Sequence, residues 1–170
     1  TGTYGTNGFY LEALDSADLG KDTSGNGNDW TNTNVVQVTD TPTDNYAVFN
    51  PLPNPSNAII YNGNLKVQVN PGKIGVGNFG MATGKWYFES TVISTYYDSL
   101  WLGVTESTST PSDGINSAIL YYGADGSIWI KGVKTAYGSS FGAGDIIGIA
   151  VDRDGGTVTF YNNNVSQGPI

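Results

Sequence analysis

Asp22-Thr23-Ser24-Gly25-Asn26-Gly27 sets oxygen-bearing side chains at alternate positions with a glycine sixth, as calcium loops begin. Calcium takes about six to eight oxygens, and such a loop ends in a bidentate glutamate at its twelfth position. Here that position is Thr33. The segment therefore reads first as a glycine-rich turn held by Asx-type hydrogen bonds. Asp22, Ser24 and Asn26 are its candidate calcium ligands, and no other cofactor is implied.

Carboxylates are the other acid–base resource, because the chain contains neither histidine nor cysteine. That composition excludes Ser-His-Asp and Cys-His catalysis within the chain, removes the usual zinc ligands and leaves no disulfide. A glycosidase needs two carboxyl groups facing across a cleft with their pKa values pushed apart. Glu12, Asp15, Glu89, Glu106, Asp152 and Asp154 are scattered instead, with no Glu-x-Asp-x-x-Glu signature. Asp145 reads as a turn acceptor in front of a strand. The expectation is a protein that is not an enzyme.

Aromatic residues are abundant, with four Trp, eleven Tyr and six Phe. Trp86, Phe88, Trp101, Trp129 and Phe160 fall in strand patterns and are assigned to the core. Tyr96, Tyr97 and Tyr137 fall in loops, with Asp98 and Asn116 nearby in sequence. Loop tyrosines of this kind are low-entropy amphipathic anchors for a sugar ring or a protein surface. They equally suit folding back onto the domain. Tyr96, Tyr97, Asp98, Asn116 and Tyr137 are thus the candidate ligand-binding residues.

The net charge of −8, with only seven Lys and Arg, argues against phosphate-backbone contacts and so against a nucleic-acid partner. No apolar run reaches membrane-spanning length and no signal peptide is visible, so membrane insertion is not expected. The sequence starts at Thr1, which suggests a piece of something longer.

Positioning such residues falls to strands. Twenty-four glycines, few charged residues and many Asn, Ser and Thr suit short strands joined by turns. Gly144–Asn164 is the clearest case. Ile146–Val151 is an almost unbroken apolar run that reads as buried on both faces. Thr157–Asn162 alternates, with Val158 and Phe160 on one side, and Asp152–Gly156 supplies the reversal. Strands are also expected over Phe9–Ala13, Val35–Val38, Tyr46–Phe49, Gly84–Ser94 and Leu100–Thr105. Ala58–Tyr61 and Leu65–Val69 flank the hairpin turn Asn62-Gly63-Asn64, and Ala118–Tyr122 pairs with Ser127–Lys131. Residues 1–8 read as a linker or a strand from an upstream segment, and 9–170 as one all-β, two-sheet antiparallel sandwich.

Three blocks carry a family resemblance: GKWYFES (Gly84–Ser90), LWLGVT (Leu100–Thr105) and GDIIGIAVDRDGGTVTFYNNN (Gly144–Asn164). In order and spacing over 84–168 they resemble the SPRY (B30.2-like) domain. The opening, with Phe9-Tyr10-Leu11, Asp22–Asn28 and DTPTDNYAVFNPL (Asp40–Leu52), resembles concanavalin-like, laminin-G-type jelly rolls and segments of bacteriophage tail-fibre and other virion proteins. Both resemblances imply a jelly-roll β-sandwich. SPRY-like domains carry further strands after the position of Gly168-Pro169-Ile170, so the resemblance implies either a domain cut short of its last strands or a closing hairpin completed by a strand from elsewhere.

Together these resemblances imply a non-enzymatic recognition or structural module of a phage virion, in a tail fibre or spike. It would be extracellular and homo-oligomeric or seated among virion subunits, and would bind a host-surface glycan or protein through loop aromatics. A self-assembling filament or capsid-decoration subunit and a carbohydrate-active enzyme domain are the alternatives.

Overall fold

The computed structural model describes residues 3–37, 46–52, 58–69, 74–95, 100–106 and 114–170. Among these residues ten strands follow in order: β1 (Ile59–Tyr61), β2 (Lys66–Gln68), β3 (Lys85–Thr91), β4 (Trp101–Thr105), β5 (Ala118–Tyr122), β6 (Ile128–Ile130), β7 (Val133–Thr135), β8 (Ile146–Asp152), β9 (Thr157–Asn162) and β10 (Val165–Pro169). One 3₁₀ turn, Gly114–Ser117, precedes β5, and no α-helix occurs among the described residues. Two four-stranded antiparallel sheets, β10-β9-β8-β3 and β4-β5-β6-β7, form the sandwich, and β1-β2 is a separate hairpin.

Register explains the core. On β8, Ile149 and Val151 lie opposite Phe160 and Val158 of β9, and on the other side Ile149 lies opposite Phe88 of β3. Period-two alternation therefore gathers Ile147, Ile149, Val151, Val158 and Phe160 on one buried face. The second sheet answers with Tyr121 and Ile128, flanked by Leu102, Val104 and Ile119. The Tyr121 ring lies 5.3 Å from Phe160 and 4.9 Å from Phe141, which joins the sheets. Each fully buried side chain of this size contributes about 1.5–3 kcal/mol.

β8 departs from the expected two-sided burial. Ile146 is 40% exposed, Ala150 is only half-buried, and Tyr87 of β3 lies over Gly148 on the outer face. A Cβ on Gly148 would sit 2.3 Å from the Tyr87 hydroxyl, so glycine admits that ring. Trp86 also departs from its core assignment: it is 37% exposed and leans on Phe79 at the start of β3.

The first half forms less regular structure than its alternation suggests. Phe9–Ala13 contributes a single bridge, Leu11 to Asp22, and ends at Ala13 with φ 52°. Tyr46–Phe49 contributes one bridge, Phe49 to Gly77. Residues 35–37 form no strand, and Val38 lies outside the described residues. Alternation without a partner strand cannot persist as a ladder, because each unpaired backbone group must find water or a side chain.

Two strands in the second half were not expected. β7 follows Lys131-Gly132, both at positive φ (48° and 83°), as a two-residue type I′ hairpin turn requires. β10 follows Asn163-Asn164 in the same way (49° and 65°), so the asparagine cluster reverses the chain instead of ending the sheet.

On the β9 side the closing hairpin is extended by β10, a strand of the same chain. β10 is also a poor template for another: its register slips between Ser166 and Pro169, Ser166 Oγ accepts the Gly168 N–H at 3.2 Å, and Pro169 has no N–H.

Candidate interaction surface

The side of the second sheet turned away from the core carries a group of three contacting aromatic rings. Antiparallel register puts Trp101 opposite Tyr122, and Trp129 between Leu120 and Lys134. These residues alternate with the core-facing Leu102, Tyr121 and Ile128, so inward packing of one set forces the other outward. The Trp101 and Trp129 rings stack at 5.2 Å with 25° between planes, and Tyr122 meets Trp101 edge-on at 5.3 Å. All three are half-buried.

A polar edge completes the face. The Lys134 ammonium stands 5.7 Å from the Tyr122 ring and 5.9 Å from Trp129, within cation–π range. It also bonds Asp125 at 2.6 Å. The Lys134 bond, then the Ser127 contacts, draw the Asp125 carboxyl from the ordinary range down to about 2. At neutral pH the face thus holds a fixed cation and anion beside stacked indoles. The Trp129 indole N–H has no acceptor among the described residues.

Of the residues picked out by sequence, Asn116 and Tyr137 fall elsewhere. Tyr96, Tyr97 and Asp98 lie outside the described residues. Asn116 is exposed in the 3₁₀ turn, where a Cβ on Gly132 would come 2.7 Å from its Oδ1. That is the Thr105–Ala118 end of the β4-β5 pair, whereas Trp101 and Tyr122 mark the other end. Strand rise separates the two ends by roughly 13 Å.

Tyr137 is not an outward anchor. Its ring packs edge-on against Tyr121 and Phe160. Its hydroxyl accepts the Phe160 N–H at 3.2 Å and donates to the Gly168 carbonyl. Those groups belong to β9 and β10 at the register slip, so one phenol bridges the gap in the ladder. The surrounding loop is fastened by Tyr121 donating to the Ser139 carbonyl and by Gln167 Oε1 accepting the Ser139 N–H at 2.9 Å. Burial pushes the Tyr137 phenol pKa up.

The Asp22 loop is a hydrogen-bonded turn. Asp22 is 5% exposed, and its carboxylate accepts N–H groups of Tyr10 (2.9 Å), Ser24 (2.8 Å) and Asn28 (2.9 Å) and the Ser24 hydroxyl (2.8 Å). The Tyr10 bond leads in holding this carboxyl well below the usual range. Asn26 directs its amide N–H groups to the Gly5 and Gly8 carbonyls. Asp22, Ser24 and Asn26 thus present no converging set of free oxygens, and calcium would have to displace the donors already on Asp22. Among the described residues no cluster of three acidic groups could hold a metal ion.

Three carboxylates around the closing hairpin hold turns as well. Asp152 accepts the Gly155 N–H and pairs with Lys85 at 3.3 Å, and Asp154 accepts the Gly84 N–H. Asp145 accepts from Gly142 and Asn163 across the mouth of the closing hairpin. The outward aromatic face escaped the sequence because Trp101 and Trp129 alternate in strands just as core residues do. Only pairing shows which side of the sheet each occupies.

Comparison with known proteins agrees with this architecture. Residues 85–169 match the SPRY domain family. No curated protein matches the chain. Among solved structures, the SPRY domain of human HERC1 aligns with a TM-score of 0.50 and 20% identity, over 56% of this chain and 63% of that one. A second human SPRY domain aligns at 0.43 and 19%, over 49% of this chain and 59% of that one. The chain spans less than two thirds of either domain's length. Half of the chain matches the family, so this protein belongs to the SPRY family, with its SPRY domain at residues 85–169.

Proposed function

We propose that this chain is a non-catalytic recognition module whose binding face is the outer side of the second sheet. SPRY domains are in general non-catalytic interaction modules. The carrying observation is the Trp101–Trp129 stack with Tyr122, Lys134 and Asp125 at its edge. Rigid aromatics at low entropic cost beside fixed charges suit a sugar ring or a protein surface. Tyr96 and Tyr97 precede β4 in sequence and stay candidate anchors by residue type alone.

The setting we propose is a bacteriophage tail fibre or spike, with the face turned to a host-surface glycan or protein. Its support is the opening sequence, whose glycine- and asparagine-rich loop resembles virion segments. Weak single sites would gain strength from many copies per particle. The test displays the chain multivalently on a glycan array and on intact bacterial cells. Binding is expected, and Trp101→Ala or Trp129→Ala should weaken it about tenfold or more. Binding that both variants retain in full would move the site off this face.

A further inference from the structure

The free edge of β3 is the one sheet end that the described residues leave long and undefended. β10 is slipped and capped, and β7 is three residues long. β4 is bounded on both sides by residues outside the description, and its Thr105 is already engaged. β3 runs seven residues in unbroken register with β8 and contains no proline.

Parity fixes which of its backbone groups are free. The Arg153 N–H bonds the Gly84 carbonyl and the Val92 N–H bonds the Asp145 carbonyl, so even-numbered residues of this stretch face β8. Lys85, Tyr87, Glu89 and Thr91 consequently turn their N–H and C=O groups to the free edge. Among the described residues none of these groups has a partner.

We propose that the occupant of this edge is β3 of a second copy, paired antiparallel about a twofold axis at Tyr87. Hydrogen bonding across the edge requires odd residues opposite odd residues, and the register centred on Tyr87 satisfies that. It puts Lys85 opposite Glu89 of the second copy, and Glu89 opposite Lys85, giving two opposite-charge pairs from one strand. Trp86, 37% exposed on the single chain, comes to lie opposite Phe88 of the second copy. Centring on Glu89 or on Lys85 would instead oppose like charges. Lys85 is free to re-pair, since its side chain is 81% exposed even with Asp152 at 3.3 Å. Among the described residues Glu89 accepts only the Tyr87 hydroxyl, at 2.8 Å. The result is a continuous eight-stranded sheet with the Trp101–Trp129 faces of both copies left open, which doubles the valency of the unit.

Sedimentation and light scattering across a concentration series test this. The chain should show a monomer–dimer equilibrium. Lys85→Glu and Glu89→Lys should each raise the dimer dissociation constant about tenfold or more. The double variant Lys85→Glu/Glu89→Lys restores opposite charges and should return it to within about threefold of the original. Because the chain has no cysteine, Tyr87→Cys under mild oxidation should give a covalent dimer, its Cα atoms falling about 5.5 Å apart across the axis. Thr91→Cys should not, since its two copies would be roughly 27 Å apart. A chain that stays monomeric at every concentration, or a dimer indifferent to both single charge changes, overturns the proposal.

Discussion

Single hydroxyls and carboxylates decide more of this molecule than their place in the sequence suggests. Tyr137 lies in a glycine-rich loop and reads as a surface anchor, yet its phenol closes the ladder between Phe160 and Gly168. No local pattern reveals this, because the partners stand 23 and 31 residues away. Tyr137→Phe keeps the ring and strands one buried donor and one acceptor, so it should cost about 1–3 kcal/mol in chemical denaturation while leaving the outer aromatic face intact. Asp22 is the converse case, since its turn was legible from the Asx-type spacing. Its carboxyl lies below the ordinary range when folded and near 3.9 when unfolded, so its contribution is complete above that value. It is lost as pH falls towards the lower folded value. Asp125 and Asp145 shift the same way, through Lys134 and through Gly142 respectively. The melting temperature should therefore hold from neutrality to about pH 5 and then drop as the pH is lowered further, a trend that calorimetry reads directly.

At the scale of elements, turn chemistry was the best guide. Asn62-Gly63-Asn64 forms the predicted hairpin with all three residues at positive φ, and the Asp152–Gly156 reversal joins β8 to β9. β7 and β10 went unread because their residues are mostly exposed or polar, and a strand recognised by apolar alternation needs a buried face. The ladders expected at Phe9–Ala13 and over the described residues 35–37 are missing for the opposite reason: Phe9, Val35 and Val36 alternate or cluster but remain exposed, with no partner strand to hold them. Glycines separate two kinds of turn requirement. Gly126 combines φ +72° with a Cβ position 2.2 Å from the Gly138 carbonyl oxygen, a backbone atom that cannot step aside. Gly156 has φ +68° and open space around it. Gly126→Ala should thus cost at least about 2 kcal/mol and Gly156→Ala about 1 kcal/mol, the ordinary left-handed penalty. Equal effects in thermal melts would contradict the close approach.

For the whole molecule, the sandwich core among the described residues comes from Met81 onward, while the opening half is held by the Asp22 network and by ring pairs such as Phe9 with Trp30. The SPRY blocks were readable because Gly84–Ser90, Leu100–Thr105 and Gly144–Asn164 are the strands that meet in that core. The outer aromatic face was not readable, since an outward tryptophan and an inward one occupy identical patterns until sheet order is known. That distinction carries the functional account and can be measured directly. Multivalent wild-type protein and its Trp129→Ala variant, matched for circular dichroism and melting behaviour, should be compared on one glycan array and one panel of bacterial cells. Specific binding by the wild type, reduced about tenfold or more in the variant, is the predicted result. Equal binding by both proteins, or none by either, would contradict the assignment of this face as the recognition surface.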